Sequence, residues 1–248
     1  MAKITCVVNA HRESNLITPT LKSVSRARQY ASNCGLHTHL LVILDNSDDD
    51  TISVVEQSID DDATIIATDK CDLALSRNFA VSESSSEYIC FLDGDDLWCK
   101  SWLVDSYIAA ERLSNEVILH PEYNIYFGSE HAHTFKHVDS ESSQFESENL
   151  LQFNYWTALS FAKRSIYLKY PYKKNTLLDG FGFEDWTWNY ETLSGGIMHK
   201  TVKNTAHYIR RGKDEPSLLD LTNLNNSVPR ILDIYRNQSC NLVNSKAA

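Results

Sequence analysis

Five apolar residues, Tyr88-Ile-Cys-Phe-Leu92, break without transition into Asp93-Gly-Asp-Asp96. An uninterrupted apolar run has no polar face. As a strand it must be covered on both sides, as in a parallel sheet flanked by helices. Three carboxylates within four positions repel one another unless a cation or a donor-rich ligand lies among them. Open α/β sheets bind ligands just beyond the carboxyl ends of their strands, where this cluster falls. Together these features predict an α/β fold that holds Mg2+ or Mn2+ and a phosphorylated ligand, since hard cations prefer carboxylate and phosphate oxygens. The plainer reading is a turn with Asp at its caps and Gly at positive φ.

The first half repeats the same grammar. Ile4-Thr-Cys-Val-Val8 ends in Asn9-Ala-His-Arg-Glu13, and Leu40-Leu-Val-Ile-Leu44 ends in Asp45-Asn-Ser-Asp-Asp-Asp50. Thr18-Pro19 predicts a helix N-cap followed by proline at the first helical position. Leu21, Val24, Ala27 and Ala31 recur at helical spacing, and Gly35 sits where a helix end favours glycine. A short helix over 51–58, a strand over 63–67 and a helix carrying Leu75, Arg77, Asn78 and Phe79 follow. Asp48, Asp49 and Asp50 read as a solvated helix N-terminus. Strand ends offering Asn9, His11, Glu13, Asp45 and Asp93 to one rim point to a nucleotide site.

The second half is less regular. It predicts a helix over 102–113, short strands over 116–120 and 124–127, and a mobile, His- and Ser-rich surface loop over 131–148. A strand over 156–162, a glycine-punctuated loop over 179–185, and a helix burying Trp186, Tyr190 and Leu193 come next. A strand over 206–211 and a helical tail after Pro229 close the chain. The expected organisation is one domain with a first half carrying the nucleotide site (1–113), a second half (114–227) and a tail (228–248), alone or within a longer protein.

With 248 residues the chain can bury a full core. Its net charge of -10, with no basic stripe, argues against nucleic acid as a partner. No apolar run is long enough to span a bilayer and no signal segment opens the chain. Six cysteines are scattered without a Cys-x-x-Cys pair, and Cys6 and Cys90, in strand-like runs, read as buried reduced thiols of a cytoplasmic protein. Glu184 and Asp185 open a helix, where the macrodipole alone favours acids, yet Asp185 on a glycine-flexed loop could also accept a proton. His207 is a candidate metal ligand, although a lone strand histidine is more often a core residue. His131, His133 and His137 read as loop residues. The stretch Lys163–Lys174 interleaves lysine and tyrosine and reads as solvated surface, with contact to an anionic acceptor or membrane face as the other reading.

Five motifs in order give the chain a resemblance to the inverting glycosyltransferases of family 2, which have the GT-A fold. They are Val8-Asn-Ala-His-Arg-Glu13, Asp45-Asn-Ser-Asp-Asp-Asp-Thr51, Leu75-Ser-Arg-Asn78, Phe91-Leu-Asp-Gly-Asp-Asp96 and Gly182-Phe-Glu-Asp-Trp186. Asn46 stands where the family usually has glycine, and Asn9-Ala-His replaces the usual Pro-x-Tyr-Asn. The resemblance implies that Asp45 contacts the base, Asp93 the ribose and diphosphate, and Asp95 the metal. It further implies that Arg77, Arg210 and Arg211 hold the donor and that Asp185 is the general base. His207 would be a second metal ligand, with Glu184 and Trp186 on the acceptor side. The donor expected is a nucleotide-diphosphate sugar, foremost a UDP-sugar, and the acceptor a glycan or lipid-linked oligosaccharide. The opening motifs look most like bacterial O-antigen or capsule transferases. A non-catalytic nucleotide-sugar-binding scaffold and a sugar nucleotidyltransferase are the alternatives. The lack of a Gly-rich, Lys-containing loop after the first strand weighs against the second.

Overall fold

The computed structural model describes residues 2–60, 62–113, 116–128, 132–213, 216–232 and 234. The first strand, β1 (Ile4–Ala10), is buried at every position, as its apolar run requires. It is followed by α1 (Ile17–Asn33), β2 (Thr38–Asp45), α2 (Asp49–Ser58), β3 (Thr64–Thr68), α3 (Leu73–Glu83) and β4 (Tyr88–Asp93). β1 pairs in parallel with β2 and β4, and β3 lies outside β2. Chain progression therefore reverses between β1 and β4, which opens a crevice beyond the strands' carboxyl ends. Asn9 and Asp93 are register partners at that crevice. Leu21 and Val24 of α1 are at most 3% exposed against the sheet, and full burial of such a side chain contributes roughly 1.5–3 kcal/mol.

α1 begins earlier than Thr18-Pro19 predicts. The amides of Leu16 and Ile17 both donate to the Glu13 carbonyl, so a turn closed at Glu13 starts the helix at Ile17. Pro19 then lies in the first turn, where a missing amide costs nothing. Asp48 behaves as predicted, accepting from Thr51 N as the N-cap of α2.

The second half comprises β5 (Leu97–Trp98), α4 (Trp102–Arg112), β6 (Val117–Gly128), β7 (His133–Lys136), β8 (Phe161–Lys163), α5 (Arg164–Lys169), α6 (Glu184–Ser194), β9 (Met198–Arg211) and α7 (Leu218–Leu224). β8 inserts antiparallel between β4 and β6, β9 lies parallel to β6, and β5 returns antiparallel on β9. The α/β class stands as predicted. The parallel arrangement holds for β3-β2-β1-β4 and for β6-β9, and β8 makes the whole sheet mixed.

Several local expectations are corrected. The two short strands expected around Pro121 are one strand, because a register shift between Pro121 and Tyr123 absorbs the missing proline donor. The stretch expected as a surface loop contains β7 and the buried His137, while His131 lies outside the described residues. The strand expected over 156–162 shrinks to Phe161–Lys163, and Trp156 instead donates through Nε1 to the Val138 carbonyl at 2.7 Å. In the Lys163–Lys174 stretch the lysines at 169, 173 and 174 are exposed, but Tyr167 and Tyr172 are core residues stacked on Trp188. Most of the tail after Pro229 lies outside the described residues. Among those described, no helix is long and apolar enough to cross a membrane. Cys6 and Cys90 are buried free thiols.

Four histidines, His120, His137, His199 and His207, are at most 2% exposed inside the second half. His120 Nε2 meets His199 Nδ1 at 2.9 Å, and His199 Nε2 meets Thr192 Oγ1 at 2.9 Å. His137 Nδ1 donates to the Pro121 carbonyl at 2.7 Å. Burial disfavours the charged ring. It pushes His137 down to about 4 and His199 to about 3, and holds His120 and His207 well below the usual histidine range.

Candidate active site

The rim of the β1/β4 crevice is built from backbone economy. A Cβ on Gly94 would lie 3.1 Å from the Asn9 carbonyl and 3.2 Å from Glu13 Oε2, so glycine lets the carboxylate turn pass close under the β1 end. Glu13 accepts from the His11 amide at 2.5 Å, and His11 Nδ1 meets the Asp45 carbonyl at 2.7 Å. Asn9 is 6% exposed, and neither polar atom of its side chain has a hydrogen-bond partner. A buried amide without partners is costly unless a ligand or water completes it.

Asp45 is 8% exposed and heavily engaged. It accepts from the amides of Cys71 and Asp72 at 3.0 and 3.2 Å and from Ser76 Oγ at 2.6 Å. Its carboxylate thus pins the start of α3, a different employment from the base contact the resemblance implies. Asn46 adopts φ 49°, a left-handed conformation that Asn tolerates in place of glycine.

Arg77 is 1% exposed and forms the hub of the site. Its guanidinium donates to Glu184 Oε1 at 2.8 Å and to Asp93 Oδ1 at 3.0 Å. Burial works against its charge, but Asp93 and Glu184 outweigh that and hold the guanidinium more firmly protonated than usual. Glu184, expected on the acceptor side, is spent on this pair. Phe183 precedes it at φ 54°, a region that costs a bulky residue energy and that clusters at functional sites. Through this turn Glu184 faces the core and Asp185, partly buried, sits beside it. Asp185 accepts from Asn154 Nδ2 at 3.3 Å and from the Trp186 amide at 2.8 Å. Burial, reinforced by the charge of Glu184, raises the Asp185 carboxyl to about 7. Trp186 donates its indole N–H to the Leu150 carbonyl at 2.7 Å, anchoring the helix rather than lying free.

The carboxylate turn is clamped by the end of β9. Arg210 donates its amide to Asp96 Oδ1 at 2.8 Å and its Nε to the Asp95 carbonyl at 3.2 Å. Its guanidinium lies over Phe127, and that of Arg211 over Tyr126, at 4.6 and 4.9 Å from the ring centres. Asp95 and Asp96 are each 5% exposed. Burial raises both carboxyls, further for Asp96, where the charges of Asp95 and Asp93 add to it. The ammonium of Lys213 pairs with Asp95 Oδ2. Lys213 is not flagged by any spacing rule, although the Arg-Arg-Gly-Lys run that ends β9 is a visible basic cluster.

His207 does not join this group. Its ring is fully buried, meets the Trp102 ring edge-on at 4.6 Å, and neither nitrogen has a partner. That core position contradicts the rim position expected of a metal ligand. Among the described residues no three His, Cys, Asp or Glu side chains converge as a finished metal cage. The oxygen donors around Asp95 nonetheless suit a hard divalent cation whose shell is completed by phosphate and water.

Comparison with curated protein sequences finds no match. Among solved structures, the chain is similar to Staphylococcus aureus TarS (residues 1–349, in complex with UDP-GlcNAc), with TM-score 0.67 and 16% identity over 86% of this chain. It is also similar to the mannosyltransferase PcManGT from Pyrobaculum calidifontis in complex with GDP-Man and Mn2+, with TM-score 0.61 and 16% identity over 86% of this chain. This chain spans 60% and 58% of the length of those two. At such identity the likeness establishes the fold, a curled mixed sheet flanked by helices, of the GT-A kind. The family model described as glycosyl transferase family 2 matches residues 5–175, a span that takes in every rim residue up to Asp96 and stops short of Asp185. With that match over most of its length, the chain belongs to glycosyl transferase family 2.

Proposed function

We propose that this glycosyltransferase moves a sugar, with inversion, from a nucleotide-diphosphate donor to a hydroxyl of a glycan or lipid-linked acceptor in surface polysaccharide synthesis. The observation that carries the reading is the unbroken ionic chain Asp93–Arg77–Glu184, which ties the donor rim to the residue next to Asp185. Asp185 is the base. With its carboxyl raised to about 7 it accepts the acceptor's hydroxyl proton far more readily than an ordinary carboxylate. A single in-line displacement then inverts the anomeric carbon, so an α-linked donor gives a β-linked product.

On the donor side, Asp93 orients the ribose and diphosphate from a position fixed by Arg77. Asn9, His11 and Glu13 line the nucleotide side, with the unpartnered Asn9 amide free to bond a donor atom. Arg210 and Arg211 present their guanidinia at the diphosphate end. Asp95 would hold Mn2+ or Mg2+, which when bound supplies Lewis-acid neutralisation of the leaving diphosphate. A UDP-sugar is the first donor to try. The TarS structure contains UDP-GlcNAc and the mannosyltransferase structure GDP-Man, so the panel includes both nucleotides.

The test measures nucleoside diphosphate release with and without Mn2+ for wild type and Asp185→Asn. The expected result is metal-dependent release in wild type and a loss of about 10²–10⁴-fold in kcat, with donor KM retained, in the variant. In wild type, kcat/KM should fall as pH drops below about 7, because the base must be unprotonated. Near-normal turnover in Asp185→Asn removes Asp185 as the base, and binding without release points to a scaffold role.

A further inference from the structure

We propose that Lys213 is a built-in counter-cation of Asp95 that competes with the divalent metal and leaves the carboxylate when metal arrives with the donor. This rests on the reading above, in which Asp95 holds the metal, and goes beyond it by assigning a residue that the motifs leave out.

The three carboxylates of the turn have different partners. Asp93 is paired with Arg77, and Asp96 accepts the backbone amide of Arg210. Asp95 has the ammonium of Lys213. Glu13 lies close enough for its charge to act on both Asp95 and Lys213. An ammonium and a divalent cation on the same carboxylate oxygens repel each other where water is scarce. Metal binding to the donor-free protein must therefore displace Lys213, and its affinity is reduced by the cost of breaking that pair.

Gly212, immediately before Lys213, takes φ 68°, a conformation that glycine adopts without strain. Lys213 shares a small cleft with Arg210, Arg211 and Ser217. A released ammonium therefore stays beside the two guanidinia, where an anionic diphosphate would be bound. Lys213 is in this sense a positioning residue. It keeps the metal carboxylate neutralised while the site waits, and it favours metal and diphosphate arriving together over metal alone.

The experiment titrates Mn2+ into the full chain, followed by the electron paramagnetic resonance signal of free Mn2+. Wild type, Lys213→Met and Lys213→Arg are compared with and without UDP. Met keeps the apolar stem, and circular dichroism confirms that the variant is folded. Without nucleotide, Lys213→Met should bind Mn2+ at least about tenfold more tightly than wild type, the scale of one near charge on a carboxylate. Lys213→Arg should stay near wild type. With UDP present the advantage of Lys213→Met should shrink or reverse. Equal or weaker nucleotide-free Mn2+ binding in Lys213→Met overturns the counter-cation role while leaving the metal reading intact. Absence of Mn2+ binding in all three proteins, with UDP present, overturns the metal reading and this inference with it.

Discussion

The two halves of the sheet bury ionisable groups in opposite ways. On the donor side, Arg77 is sealed from water as a cation between two carboxylates. On the acceptor side, four histidines are sealed as neutral rings, bonded to one another, to Thr192 and to a backbone carbonyl, or packed on tryptophan. The first solution keeps a fixed charge pattern in a low-dielectric place, which is useful where the ligand is itself charged. The second removes charge and yields a polar core beneath the surface proposed for the acceptor. The difference teaches that the donor rim is held together by compensation, so deleting one partner exposes the cost of the others. The histidine core is held by neutrality, so protons are its adversary.

The sharpest way to break the comparison is Arg77→Met. It leaves Glu184 buried without its cation, and removal of one partner from such a pair costs about 3–5 kcal/mol. Urea unfolding should show that loss. Adding Glu184→Gln should recover part of it, and equal losses in the single and double variants would refute compensation as the organising feature. His207→Leu comes next. His207 has its protonated form suppressed by burial, so its contribution is intact above the unfolded pKa near 6.5 and is lost as pH falls below that value. Replacing it should raise the urea midpoint, and the advantage over wild type should grow by about 1.4 kcal/mol between pH 7.5 and 5.5. Mn2+ binding should be unaffected. A pH-independent difference would mean that the ring takes up its proton as readily in the folded protein as in the unfolded chain. The smallest effect is expected at the Lys3–Glu87 pair, whose side chains are 51% and 44% exposed. Lys3→Ala should shift the urea midpoint least of the three, since solvent screens such pairs. A larger loss would show that burial is not what separates strong pairs from weak ones here.

Much of this was legible in the sequence, for identifiable reasons. β1, β2 and β4 announce themselves because fully buried strands cannot alternate, and Asp48 announces α2 because a cap satisfies a local amide. The rim residues Asn9, Glu13, Asp93 and Asp95 follow from the rule that parallel strands present their carboxyl ends to ligands. What stayed hidden depends on distant partners. Nothing local marks His207 as a core ring on Trp102 instead of a ligand, because a buried neutral histidine and a metal-binding one look alike in sequence. Glu184 reads as an acidic helix start until Arg77 is placed beside it. Lys213 acquires meaning only when β9, paired along β6, carries it to Asp95. Pro121 concealed the continuity of β6, since the bulge that rescues the strand is a property of its pairing.

The Arg77–Glu184 pair also fixes an order of events during synthesis. The two residues are 107 positions apart, so the donor half leaves the ribosome with its central cation still lacking one of its two carboxylates. Until α6 has emerged and docked, closing the crevice around Arg77 means burying a charge that only Asp93 balances. Closure of the first half around Arg77 is therefore expected to wait until the segment bearing Asp185 arrives. A polypeptide stalled between α3 and α6 would be a natural client for chaperones, and a chain cut there would not leave behind a stable nucleotide-binding module.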